Sequence, residues 1–139
     1  MKNVIISIAG FQKSDGREEE KIELITDGQY FCEDGEVSFS YMESELTGLE
    51  GTKTTFTVGD ETVSLLREGT LNSRMVFQEG KKHFFLYELP FGSVTMGVNT
   101  SRINSDFTEA GGDLEIKYTV DMDNAVVSEN TFIINIREV

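Results

Sequence analysis

The stretch Asp113-Leu114-Glu115-Ile116-Lys117-Tyr118-Thr119-Val120-Asp121-Met122 alternates apolar and polar side chains without a fault. Successive side chains of an extended chain point to opposite faces. Leu114, Ile116, Tyr118, Val120 and Met122 therefore form one face, and Asp113, Glu115, Lys117, Thr119 and Asp121 the other. That is a half-buried strand with a wet outer side. Glu36 to Tyr41 repeats it, with Val37, Phe39 and Tyr41 set against Glu36, Ser38 and Ser40, and Thr54, Phe56 and Val58 oppose Thr55 and Thr57. The pattern continues through Val63/Leu65, Met75/Phe77, Phe84/Leu86, Val94/Met96/Val98 and Phe132/Ile134/Ile136. With the apolar run Val4 to Phe11 and with Ile22/Leu24, about ten strands are expected. No window carries a 3.6-residue apolar period. The crowding of Thr, Val, Phe and Tyr favours a pleated surface, where β-branched and aromatic side chains pack without losing rotamer freedom.

Gly59-Asp60, Glu79-Gly80, Gly111-Gly112 and Asp123-Asn124 separate the alternating runs, and these residue types tolerate the positive φ that tight hairpins demand. Strands joined so briefly run antiparallel. The expectation is an all-β protein, a single antiparallel meander of about 8–10 strands closed into a barrel, because closure removes the exposed sheet edges. No composition shift, repeat or linker divides the chain, so residues 1–139 read as one domain.

The composition narrows function by exclusion. The 139 residues hold 25 Asp+Glu against 12 Lys+Arg, a formal charge of −13. Nucleic-acid and anionic-membrane binding both depend on Lys and Arg meeting phosphates, so neither partner is expected. Asp15 to Glu50 alone holds twelve acidic residues against Arg17 and Lys21. This is a solubilising face or, on a second reading, a docking surface for a basic partner. Cys32 is the only cysteine and forms no internal disulfide; with no apolar run long enough to cross a bilayer, the expected compartment is the cytoplasm.

The segment Leu66 to Ile136 resembles a family of small bacterial proteins described as YwiB-like, a domain of unknown function with a calycin-like, lipocalin-resembling β-barrel. The resemblance rests on Arg67-Glu68-Gly69, Tyr87-Glu88-Leu89-Pro90-Phe91-Gly92, Val98-Asn99-Thr100, and Gly111-Gly112-Asp113-Leu114-Glu115-Ile116-Lys117-Tyr118 running on to Asp121 and Asp123. It extends more loosely over the N-terminal half. Leu89 stands where the family usually has Thr, and Asn124 where it usually has a turn glycine. The resemblance implies the barrel and a bacterial cytoplasmic setting, and no activity.

No residue pattern names a catalytic site, a metal site or a cofactor. His83 is the only histidine and follows Lys81-Lys82 at a strand start, where an exposed tip residue is expected. Cys32 precedes Glu33-Asp34, and acidic neighbours keep a thiol inert. Asp121-Met122-Asp123-Asn124 offers oxygens at alternate positions, but the glycine and distal glutamate of a calcium loop do not follow; a hairpin turn explains it. No acid–base pair can be named, so a hydrolase or isomerase has least support.

Two charges are turned inward by the alternation. Continuing Val63/Leu65 places Arg67 on the apolar side, and continuing Phe84/Leu86 does the same for Glu88. Charges so placed are paired or lie near the barrel mouth. They read either as a mutual ion pair at strand ends or as part of a small-molecule site, in which Arg67 anchors an anionic group and Met75, Phe77, Tyr87 and Tyr118 form the walls. Pro90-Phe91-Gly92 reads as a structural turn leading into Val94/Met96/Val98, and Gly97, on the outer face of that strand, as a bulge or a close approach. A non-enzymatic ligand-binding module is the leading expectation. The oligomeric state, monomer or homodimer, is open.

Overall fold

The alternating runs become ten antiparallel strands in a computed structural model that describes residues 1–14, 16–89 and 91–139, the side chains of Glu88 and Leu89 excepted. They are β1 (Lys2–Ser14), β2 (Glu20–Glu33), β3 (Glu36–Met42), β4 (Thr52–Val58), β5 (Val63–Gly69), β6 (Ser73–Phe77), β7 (Lys82–Leu89), β8 (Gly92–Thr108), β9 (Gly111–Met122) and β10 (Ala125–Glu138). A single 3-10 turn, Glu45–Thr47, lies in the loop between β3 and β4. No helix among the described residues is long and apolar enough to cross a membrane.

The strands form one sheet in the order β6-β5-β4-β3-β2-β1-β10-β9-β8-β7. Because β1 pairs with both β2 and β10, the first and last strands join the two halves into a ring. The seam falls between β6 and β7. There the chain is held by one parallel bridge, Glu79 to Thr100, with the Gly80 N–H donating to the Thr100 carbonyl at 2.9 Å. The Glu79 carboxylate accepts from the Ile103 N–H at 2.8 Å. The barrel is nearly closed. Glu79-Gly80, expected as a hairpin turn, is instead the crossing of this seam. Gly111-Gly112 opens β9 after the turn at Glu109 and Ala110, and Cβ atoms on these two glycines would collide with the Ile136 and Asp106 carbonyls.

Most of the alternation holds. Val37/Phe39/Tyr41, Phe56/Val58, Val63/Leu65, Met75/Phe77 and Ile134/Ile136 are buried. The phase of β7 is the exception: Phe84 and Leu86 are 68% and 59% exposed, and Phe85 and Tyr87 point inward. Phe84-Phe85-Leu86-Tyr87 is apolar on both faces, so alternation alone does not set its phase; pairing with β8 does. The face from which Glu88 was extrapolated inward is therefore the outer one, and the side chain of Glu88 itself lies outside the described residues. In β8 a bulge between Thr100 and Arg102 reverses the phase, so Val94, Met96 and Val98 give way to Ile103 and Phe107 as inward residues.

At the far end of β9, Asp121 is expected in water and Met122 inside, yet Asp121 is only 5% exposed and Met122 is 36% exposed. Asp121 stays on the outer face but is covered. Gly97 opposite it has no side chain, and a Cβ there would strike Lys82 and Asp121, so the close approach is real. Into that gap Lys82 Nζ reaches Asp121 at 2.8 Å and Asn99 Nδ2 donates to it at 2.8 Å. Hydrogen bonding by Lys82 holds the Asp121 carboxyl below its ordinary value, against the opposing effect of its burial.

One end of the barrel is solid. Phe39 and Phe56 face each other across β3 and β4 with rings 5.0 Å apart, Phe107 closes on Tyr30 and Phe39, and the Tyr30 hydroxyl donates to the Thr108 carbonyl at 2.7 Å.

Candidate functional site

The opposite end gathers the β1–β2, β3–β4, β5–β6, β7–β8 and β9–β10 connections, and there the interior is hollow. A cavity of about 500 Å³ opens among them. Its apolar wall is built from inward positions of nearly every strand: Ile8, Leu24, Met75, Phe85, Tyr87, Met96, Val120 and Phe132. Tyr118 is its floor. The Tyr118 ring lies 4.8 Å from Phe77 and 5.8 Å from Phe132, and Phe77, fully buried behind it, does not reach the cavity.

Arg67 enters this space from β5, as its alternation requires, with its side chain 20% exposed. Its carboxylate neighbour is Glu43, whose side chain is 2% exposed and whose Oε2 lies 3.9 Å from Arg67 Nε. That distance is an ion pair without a hydrogen bond. Arg67 Nε is buried and has no hydrogen-bond partner among the described residues. Glu43 is held from the other side by the Thr54 hydroxyl, which donates to it at 2.5 Å, and by its own N–H on the Thr52 carbonyl at 2.8 Å. Thr52 and Thr54 are fully buried, so this end of β4 is a fixed support.

Two phenols flank the charges. Burial raises the pKa of Tyr41, the Glu43 carboxylate raises it further, and Arg67 opposes both. Burial also raises that of Tyr118, again opposed by Arg67. Both therefore stay protonated and can donate or accept a hydrogen bond. Arg67 is the only Lys or Arg among the described cavity residues; Glu20 and Glu43 are its acids.

Of the candidates read from sequence, Arg67, Met75, Tyr87 and Tyr118 line one cavity, and Phe77 backs its floor. Pro90 lies outside the described residues. Phe91 is exposed on the β7–β8 turn, and Gly92 begins β8 with φ 145°. Glu43 was missed, although continuing Val37/Phe39/Tyr41 by one more step would have turned it inward. His83 is hydrogen-bonded to Gln78 at 3.0 Å and takes no part. Asp123 and Asn124 occupy the left-handed region at φ 53° and 65°, as a hairpin turn requires. Among the described residues no group of three or more His, Cys, Asp or Glu is placed to hold a metal ion.

Known proteins agree with this architecture. The sequence is 30% identical over 115 residues to the uncharacterized beta-barrel protein YwiB of Bacillus subtilis (strain 168), covering 83% of this chain and 79% of that one. The crystal structure of the ywiB protein from Bacillus subtilis superposes with a TM-score of 0.81 at 25% identity, covering 96% of this chain and 91% of the other. The sequence profile of the domain of unknown function DUF1934 matches residues 6–134, and the chain belongs to that family of β-barrel proteins.

Proposed function

We propose that this barrel is a non-enzymatic binding module, lipocalin-like in mode, that takes a small, partly apolar ligand into its open end with Arg67 as a polar anchor. The observation that carries this reading is a cavity of about 500 Å³, within the size range of small-molecule sites, walled largely by apolar side chains around one guanidinium whose buried Nε has no hydrogen-bond partner among the described residues. The lone, half-buried Cys32 accords with a reducing, cytoplasmic setting.

The test uses 1-aminoanthracene, an uncharged fluorophore that brightens in apolar surroundings. Its fluorescence is expected to rise and saturate with the wild-type protein, and to weaken about tenfold in apparent affinity when Met96→Trp fills the cavity, a change equivalent to about 1.4 kcal/mol. An unchanged signal in Met96→Trp, or no saturable signal in the wild type, would refute the reading.

A second reading is supported by the exposure of ten acidic residues between Glu18 and Glu50, on β2, β3 and their flanking turns. On this reading they engage a basic protein partner. Polylysine binding that falls steeply with salt supports it, and binding indifferent to salt removes it.

A further inference from the structure

The cavity's one cation sits near its opening. Arg67 pairs with Ser73 beside the β5–β6 turn, one inward step nearer the mouth than Leu65 and Met75, with its side chain next to Tyr118. The rim around it is mixed, with Ile22 43% exposed beside exposed Gln12 and Glu20.

Building on the ligand-binding reading above, we propose that the ligand is a single-chain amphiphilic monocarboxylate whose carboxylate is held on Arg67 near the mouth and whose chain runs into the cavity along Met75, Phe85 and Met96. Three observations select this class. Arg67 carries donors that Glu43, at 3.9 Å, does not engage, so an oxygen acid satisfies them and an uncharged apolar ligand seals them off unpaired. A planar carboxylate matches the guanidinium fork, and the protonated phenol of Tyr118, beside Arg67, can donate to it, whereas that of Tyr41 is engaged by Glu43 and Thr54. Glu43 already neutralises Arg67 in a poorly solvated place, so each further negative charge is repelled; a monoanion adds one and a phosphate ester nearly two.

Calorimetric titration of the full chain with decanoate, 1-decanol, decyl phosphate and acetate, each below its micelle onset, tests the proposal. Decanoate is expected to bind at least about tenfold more tightly than 1-decanol or decyl phosphate, and acetate not measurably. Arg67→Met should bring decanoate down to the level of 1-decanol, and Arg67→Lys should fall between, with circular dichroism confirming that both variants are folded. The ligand series on the wild type decides even if a variant fails to fold. Equal affinity for 1-decanol and decanoate overturns the anchored head, and equal or tighter binding of decyl phosphate overturns the single charge. If none of the four binds while 1-aminoanthracene does, this ligand class falls and the cavity reading survives. If 1-aminoanthracene also fails, both fall.

Discussion

At the scale of single residues, the molecule carries two kinds of buried charge, and they behave oppositely. Glu43 is held by Thr54 and faces Arg67 inside the hollow end. Removing it with Glu43→Ala leaves Arg67 without a counter-charge and opens a small void, and is expected to lower unfolding free energy by about 2 kcal/mol, measured by urea denaturation. Asp121 is covered on the outer face by Lys82 and Asn99. Its folded pKa is depressed, so its contribution is present above the unfolded carboxyl value and is lost as pH falls through the folded one. Asp121→Asn should therefore cost about 1–2 kcal/mol at neutral pH, and the gap to wild type should shrink as the pH drops below 3.8, the ordinary value of this carboxyl. A gap that stays constant into acid would show that the charge of Asp121 contributes nothing.

At the scale of elements, the barrel depends on where backbone meets backbone. Gly111 adopts φ 129° at the start of β9, where a Cβ would collide with the Ile136 carbonyl of β10. Gly111→Ala is expected to cost about 3 kcal/mol, because strain and collision fall on the same residue and the β9–β10 ladder must give way. Thermal melting of the variant is the check. The seam between β6 and β7 is the other distinctive element. β1 and β10 pair along both edges, whereas β6 and β7 each pair along one edge. Hydrogen exchange should show the greatest protection in β1 and β10 and the least in β6 and β7; equal protection across the seam would mean that it closes in solution.

At the scale of the whole molecule, a formal charge of −13 acts on every encounter. A carboxylate approaching the mouth is repelled by the general field and attracted only near Arg67, so added salt should speed its association. A basic protein binding the β2–β3 side should lose affinity under the same change. Stopped-flow measurement of decanoate association between low and moderate ionic strength distinguishes a ligand that must pass the acidic coat from a partner that uses it. Slower association at higher salt would contradict passage through the acidic coat.

The period-two alternation of Asp113 to Met122 and its counterparts determined the strands, the meander and the inward placement of Arg67, because side-chain direction along an extended chain is a local property. It failed in three places for one reason. Phe84 to Tyr87 is apolar on both faces, Thr100 to Arg102 inserts a bulge, and Asp121 sits on the wet face yet is buried over Gly97. Phase, bulge and outer-face cover are set by what lies across the ladder, which alternation does not encode. Glu43 was legible one step beyond Tyr41, but that it meets Arg67 is a matter of two strands, β3 and β5, lying on either side of β4. The sequence by itself determined an acidic, all-β chain with an inward arginine. Only the tertiary structure decided that one end of the barrel fills with Tyr30, Phe39, Phe56 and Phe107 while the other stays open around Arg67, since hollowness depends on how side chains from many strands meet in space.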